Sequence, residues 1–135
     1  MVAPLARSLP RPTPETQHFW EGVDERELRL QRCQSCRTTY FPPQPGCPLC
    51  GHGDVDVVVS SGQGSLYSYV ISHLPVPGFE PPYVIAVVEL DEGPRLLTNI
   101  VGGAADPDQL PLDAAVEVVF DSIDGTTLPF FRIRA

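Results

Sequence analysis

Lysine is missing altogether from this 135-residue chain, so its nine basic side chains are all arginines, set against 17 carboxylates for a net charge of −8. The imbalance is local: residues 1–50 hold six arginines and five acids, a surplus of +1, whereas residues 51–135 hold three arginines and twelve acids, or −9. A surface of that sign repels phosphate backbones, whose neutralisation by basic side chains supplies most non-specific nucleic-acid affinity. Long apolar runs are missing too. The longest, such as Tyr83 to Val88, fall far short of the roughly 20 residues that span a bilayer, and no charged-then-apolar leader opens the chain. The expectation is a soluble cytoplasmic protein that meets neither membrane nor nucleic acid. After residue 27 no long helical period is sustained, which excludes a long-helix architecture. The length fits one domain, or a small domain with an appended module.

Proline is what the chain has in excess. Its 16 prolines are more than twice the usual share of about 5%, while the hydrophobic fraction is ordinary, which describes a loop-rich globular protein. Residues 1–12, with Pro4, Pro10 and Pro12, read as an extended arm. Thr13 followed by Pro14 predicts a helix start. That short helix carries Phe19, Trp20 and Val23 on one side, with Glu15 near its positive end and Gly22 as its break. From Glu27, Leu28 and Leu30 alternate with Arg29 and Gln31, the period of a strand. After Gly53 come β-rich runs at Val55 to Val59, Gly64 to Leu74, Tyr83 to Leu90, Arg95 to Val101, Val116 to Asp121 and Leu128 to Arg134. Strands at this spacing predict an antiparallel barrel or sandwich. The connector Gly102 to Pro111 is expected to hold a helical turn around Asp106 to Leu110.

All four cysteines fall in one constellation: Cys33-Gln-Ser-Cys36, ten residues, then Cys47-Pro-Leu-Cys50. A two-residue spacer lets both thiolates of a pair converge on one ion while amides of the tight turn offset their charge. Two such turns make a closed tetrahedral S4 site, so one structural Zn²⁺ is the expected cofactor. Two disulfides are the alternative, and they require an oxidising compartment; a redox-active iron is the other, since S4 ligation alone does not select zinc. Arg32 and Arg37 flank the first pair and are candidates to screen the −2 charge of such a centre.

No catalytic set is expected. Every cysteine is assigned to the metal, and the chain has no Gly-x-Ser-x-Gly elbow. Gly62-Gln-Gly-Ser65 is too short for a phosphate loop and reads as a turn. His73 stands at a strand end, where a structural or exposed imidazole is the ordinary case, and His52 follows the last cysteine, within reach of a thiolate. Asp91 and Glu92 read as a hairpin turn and not as an acid/base pair.

The order of several short motifs resembles one family. Leu28-Arg-Leu-Gln-Arg-Cys33-Gln-Ser-Cys36, the Phe41-Pro-Pro43 step, Cys47-Pro-Leu-Cys50-Gly51, Ser61-Gly-Gln-Gly-Ser65, Asp91-Glu-Gly93 and Leu128-Pro-Phe-Phe-Arg132 together look like the DUF35 proteins. The resemblance covers nearly the whole chain from about Thr13 and implies a rubredoxin-like zinc ribbon joined to an OB-fold. The implied organisation is an arm and short helix at 1–26, a zinc ribbon at 27–53 and an antiparallel OB-fold barrel at 54–135.

The resemblance also implies a partner. DUF35 proteins accompany thiolase-superfamily enzymes, among them the lipid-transfer-protein-like aldolases of steroid side-chain degradation, and the partner carries the catalytic groups. The expected function is a non-catalytic subunit of a hetero-oligomer that docks on such an enzyme, stabilises it and shapes its acyl-CoA entrance. Phe19, Trp20, Phe79 and Phe130 are the candidate contacts with the partner or acyl-CoA, because aromatics are enriched at interface cores. The alternatives are a stand-alone acyl-CoA-binding protein and a single-stranded nucleic-acid-binding OB-fold.

Overall fold

The computed structural model describes residues 8–134, so the expected arm at 1–12 lies mostly outside the described residues. One helix, α1 (Gln17–Asp24), leads into strands β1 (Arg29–Cys33), β2 (Thr39–Tyr40), β3 (Val55–Val59), β4 (Gln63–Ser72), β5 (Tyr83–Leu90), β6 (Arg95–Ile100), β7 (Ala115–Ile123) and β8 (Thr126–Ile133). The expected turn in the long connector is a 3-10 turn at Pro107–Gln109, capped by the Asp106 carboxylate accepting from the Asp108 amide.

The helix starts three residues later than the Thr13-Pro14 signal implies. Thr13 and Thr16 close a turn on each other, the Thr13 amide donating to Thr16 Oγ1 at 2.8 Å and the Thr16 amide to the Thr13 carbonyl at 3.0 Å, and Gln17 begins the helix behind it. Glu15 therefore precedes the first helical turn. Nor does Gly22 break the helix. It lies inside, buried, where a side chain would strike Arg29, its Cβ 2.7 Å from Arg29 Cγ, so glycine serves close packing of the helix on β1.

Two sheets follow. The first has the order β2-β1-β3, with β1 antiparallel to both neighbours. The run Val55 to Val59, expected in the barrel, hydrogen-bonds instead along the whole of β1, from Arg29 opposite Val59 to Cys33 opposite Val55. The second is a closed barrel in the order β4-β5-β6-β8-β7, the five-stranded Greek-key circuit of an OB-fold. Its pairs are antiparallel except one: β6 meets β8 in parallel at Ile100 and Phe131. That contact, with the Val101 amide on the Phe131 carbonyl at 2.8 Å, closes the circuit.

Gly62-Gln-Gly-Ser65 is only half turn. Gly62 adopts φ +76°, while Gly64 is already in β4, packed so closely against β5 that a Cβ would run into the Glu89 carbonyl. A register shift between Leu66 and Ser68 makes a β-bulge at Tyr67. Inside the barrel lie Leu66, Val84, Ala86, Val88, Leu90, Leu96, Val116 and Phe131, and the same core takes in Phe19 and Val23 of α1 and Leu28 and Leu30 at β1. Helix, barrel and the start of the ribbon thus share one apolar interior, while Cys33, Tyr40 and Cys47 form a separate small cluster on the ribbon's cysteine side.

Candidate metal centre

The two Cys-x-x-Cys turns are built alike. In the first, the Arg37 amide donates to the Cys33 carbonyl at 2.9 Å with Arg37 at φ +67°; in the second, Gly51 donates to the Cys47 carbonyl at 2.9 Å with φ +80°. Each turn thereby folds its second thiol back beside its first. All four sulfurs lie within 4.8 Å of one another, with Cys33 to Cys50 at 3.5 Å and Cys36 to Cys47 at 3.6 Å. Four sulfurs around one ion at about 2.3 Å stand roughly 3.8 Å apart along the edges of a tetrahedron, and the cluster matches that spacing. Cys33 and Cys47 are buried against Tyr40 and Val55, and Cys36 and Cys50 face outward.

Amides point at the sulfurs, as the charge of the centre requires. Cys36 N lies 3.5 Å from Cys33 Sγ and Leu49 N lies 3.4 Å from Cys47 Sγ. The Thr38 hydroxyl, 3.2 Å from Cys36 Sγ, and the Thr38 backbone hold the Cys36 thiol down to about 6. At Cys50 the hydrogen bond from the His52 backbone favours the thiolate, but the hydrogen bond shared with Cys33, desolvation, and those shared with Cys36 and Cys47 outweigh it and push the thiol up to about 11. An ion takes its cysteine ligands as thiolates, so binding here releases whatever protons the thiols hold. Sulfur donors alone in a closed set fit a structural zinc, which would be held by Cys33, Cys36, Cys47 and Cys50.

Neighbouring groups hold the loops in place. Gln31, buried, accepts the Gln44 amide at 2.7 Å, and Tyr40 donates to the Gln44 carbonyl at 3.3 Å, fixing the proline-rich loop between the cysteine pairs. Burial and the nearby cysteines raise the Tyr40 phenol above its ordinary value. Arg32 reaches Thr39 Oγ1 at 3.4 Å, and Arg37 is exposed.

The aromatic candidates separate into two places. Phe19 is buried, stacked on Trp20 with centroids 4.9 Å apart and edge-on to Phe41 at 5.0 Å, while half-buried Trp20 lines a small groove with Pro10, Pro12 and the β7–β8 hairpin. Phe79 and Phe130 come together around a groove of about 470 Å³ with Tyr83, Phe120 and Asn99; Glu80, Asp121 and Arg132 supply its charges. Asn99 Nδ2 donates to the Val84 carbonyl at 2.8 Å. His73 is exposed just beyond β4. His18, whose Nε2 is buried without a hydrogen-bond partner among the described residues, is held below the ordinary imidazole value by burial and by Arg29. The sequence placed Glu92 in a hairpin turn, where the structure has it, but not its clamp on the ribbon–barrel link: its carboxylate accepts from Ser60 Oγ at 2.7 Å and the Ser61 amide at 2.9 Å. Nothing in a turn sequence marks a carboxylate whose partners lie 31 and 32 residues upstream.

Comparison with known proteins agrees with this architecture. The model of the rubredoxin-like zinc ribbon domain of ChsH2 matches residues 20–56, and that of the ChsH2 C-terminal OB-fold domain matches residues 57–121. A probable enoyl-CoA hydratase alpha subunit of Thermomonospora curvata is 45% identical over 91% of this chain. The chain spans about two fifths (39%) of that protein's length. A DUF35 domain-containing scaffold protein of Methanothermobacter thermautotrophicus is 34% identical over 81% of this chain and 84% of its own length. Among solved structures, a chain of the Ltp2-ChsH2(DUF35) aldolase superposes with a TM-score of 0.82 at 42% identity, covering 93% of this chain and 98% of that one. With the ribbon, the barrel and these relatives in agreement, the chain belongs to the DUF35 family.

Proposed function

We propose that this protein is a non-catalytic accessory subunit that docks on a thiolase-like enzyme, in the manner of an aldolase complex of acyl-CoA metabolism. The observation that carries this reading is the likeness to the DUF35 chain of an aldolase, matched over 98% of that chain's length. The name of the scaffold protein related to it points the same way. In this reading the ribbon, closed around zinc, and the shared core make a rigid body, and the partner performs the chemistry. The groove beside Phe79 and Phe130, apolar with a few polar groups at its edge, has the make-up of a small-molecule site and is assigned to the acyl-CoA entrance. Trp20, half-buried beside the arm, is the helix's contact with the partner. The protein works in the cytoplasm, and among the described residues no helix is long and apolar enough to cross a membrane.

Affinity capture from the native lysate with the tagged chain as bait, read by mass spectrometry, tests the proposal. Recovery of a thiolase-superfamily subunit in near-equimolar amount is expected. Recovery of nucleic acid, or of no protein in stoichiometric amount, overturns it.

A further inference from the structure

An antiparallel sheet with one face in water alternates apolar and polar residues, the polar ones pointing out. The outer face of β4, β5 and β6 breaks this rule. Val84, Ala86, Val88 and Leu90 of β5 fill the barrel, so Ile85 and Val87 between them point outward. Register sets Val70 and Asn99 beside Ile85, and Ser68 and Leu97 beside Val87. Leu97 is 77% exposed, Val70 59% and Tyr67, at the bulge, 46%. Exposed Leu97 and Val70 with half-buried Ile85 and Val87 therefore form an apolar patch across adjoining strands, Ile85 and Leu97 bordering Phe79 at one side. At one end of it Arg95 lies 3.9 Å above the Tyr67 ring and is ion-paired with Glu89 at 2.9 Å, so the flanking charges are already neutralised among themselves.

We infer that this face is the docking surface for the thiolase-like subunit, through an apolar patch on that partner fringed by basic residues; the inference rests on the accessory-subunit reading above. Two observations select that occupant. A second copy would bring another net charge of −8 against a chain half that carries −9, and like charges brought together across an interface are penalised. A partner with a basic rim meets the same half favourably, and its encounter is accelerated by the same field. β5 itself, Tyr-Val-Ile-Ala-Val-Val-Glu-Leu, is written as a strand covered on both faces.

The test uses the full zinc-loaded chain in capture experiments, with the partner identified as a thiolase-superfamily subunit. Leu97→Glu and Val70→Glu place a charge on exposed strand positions, and Val57→Glu makes the same change on the ribbon sheet, where Val57 is 49% exposed. Zinc content and melting temperature of each variant report on folding. Wild type and Val57→Glu are expected to retain the partner, and the two face variants to lose it by about tenfold or more. Equal capture by folded face variants overturns the docking face while leaving the accessory role standing. If wild type retains no thiolase-like subunit, the accessory reading fails and the inference with it. Sedimentation showing a wild-type dimer that Leu97→Glu disperses also overturns it, since the occupant is then a second copy.

Discussion

Glu92 sits in a hairpin turn, yet its contacts reach back across the chain to the point where ribbon becomes barrel. Burial alone would raise its carboxyl, but hydrogen bonds from the Ser61 amide and the Ser60 hydroxyl outweigh burial and hold it below the ordinary value of 4.5. A carboxyl depressed by folding stabilises the native state fully above its unfolded value and loses that contribution as pH falls through the folded one. Replacing it by Glu92→Gln should therefore lower stability by about 2 kcal/mol at neutral pH, a typical worth for hydrogen bonds to a charged group. The loss should shrink below about pH 4. Urea midpoints measured across pH check this, and a Glu92→Gln profile parallel to wild type at every pH would contradict the clamp. Gly64 makes a different demand, for space and not for charge. A Cβ there meets the backbone of β5, with Leu90 Cα at 3.0 Å behind the Glu89 carbonyl, and neither yields as a flexible side chain does. Gly64→Ala should cost about 3 kcal/mol, the upper range for overpacking, whereas alanine at Gly51 or Gly93 meets no atom within 4 Å and is strained only by its positive φ.

At the scale of elements, α1 and the ribbon are tied to the barrel by burial, so loss of either reaches further than its own residues. Phe19 is 3% exposed and packs in the common core, so Phe19→Ala should destabilise the whole chain by about 3 kcal/mol or more. Trp20→Ala, on a half-buried ring, should cost less and mainly weaken the complex; thermal melts and capture of the partner separate the two effects. Zinc removal acts through β1. The strand carries Cys33 at one end and Leu30 in the barrel-side core, so chelation should lower the melting temperature of the entire protein in one transition. A barrel that melts unchanged after chelation would show the ribbon to be energetically separate. Much of this was legible in the sequence. Paired Cys-x-x-Cys spacing picked out the four thiols that the fold brings together, because chemistry demands that geometry locally, and period-two runs located the strands. Features that depend on distant partners were not. The position of Gly22 inside the helix depends on the packing of Arg29. The membership of Val55–Val59 in the ribbon sheet depends on pairing with a strand more than 20 residues earlier. The parallel β6–β8 contact that closes the barrel leaves no mark in either strand. Each is a non-local choice between surfaces that look alike one residue at a time.

For the molecule as a whole, charge decides which class of partner the barrel can take. OB-folds that hold single-stranded nucleic acid line a groove with basic side chains and stacking aromatics. The barrel's three arginines are all engaged: Arg95 with Glu89, Arg132 with Glu117 at 2.9 Å, and Arg134 with the Gln63 carboxamide at 2.9 Å. Freeing any of them for a phosphate would expose a carboxylate or an amide beside it, inside a chain half that carries −9. The aromatic groove at Phe79 and Tyr83, whose rings tilt together at 4.8 Å, therefore offers stacking surface without the counter-charge a strand needs. The zinc-loaded protein should show no affinity for a single-stranded oligonucleotide tighter than about 10⁻⁴ M at ~0.1 M salt, the weak end of non-specific binding. Fluorescence anisotropy with a labelled oligonucleotide checks it. An affinity in the micromolar range that falls linearly on a log–log plot against salt would mean that the arginines leave their partners, and that the barrel reads phosphate despite its sign.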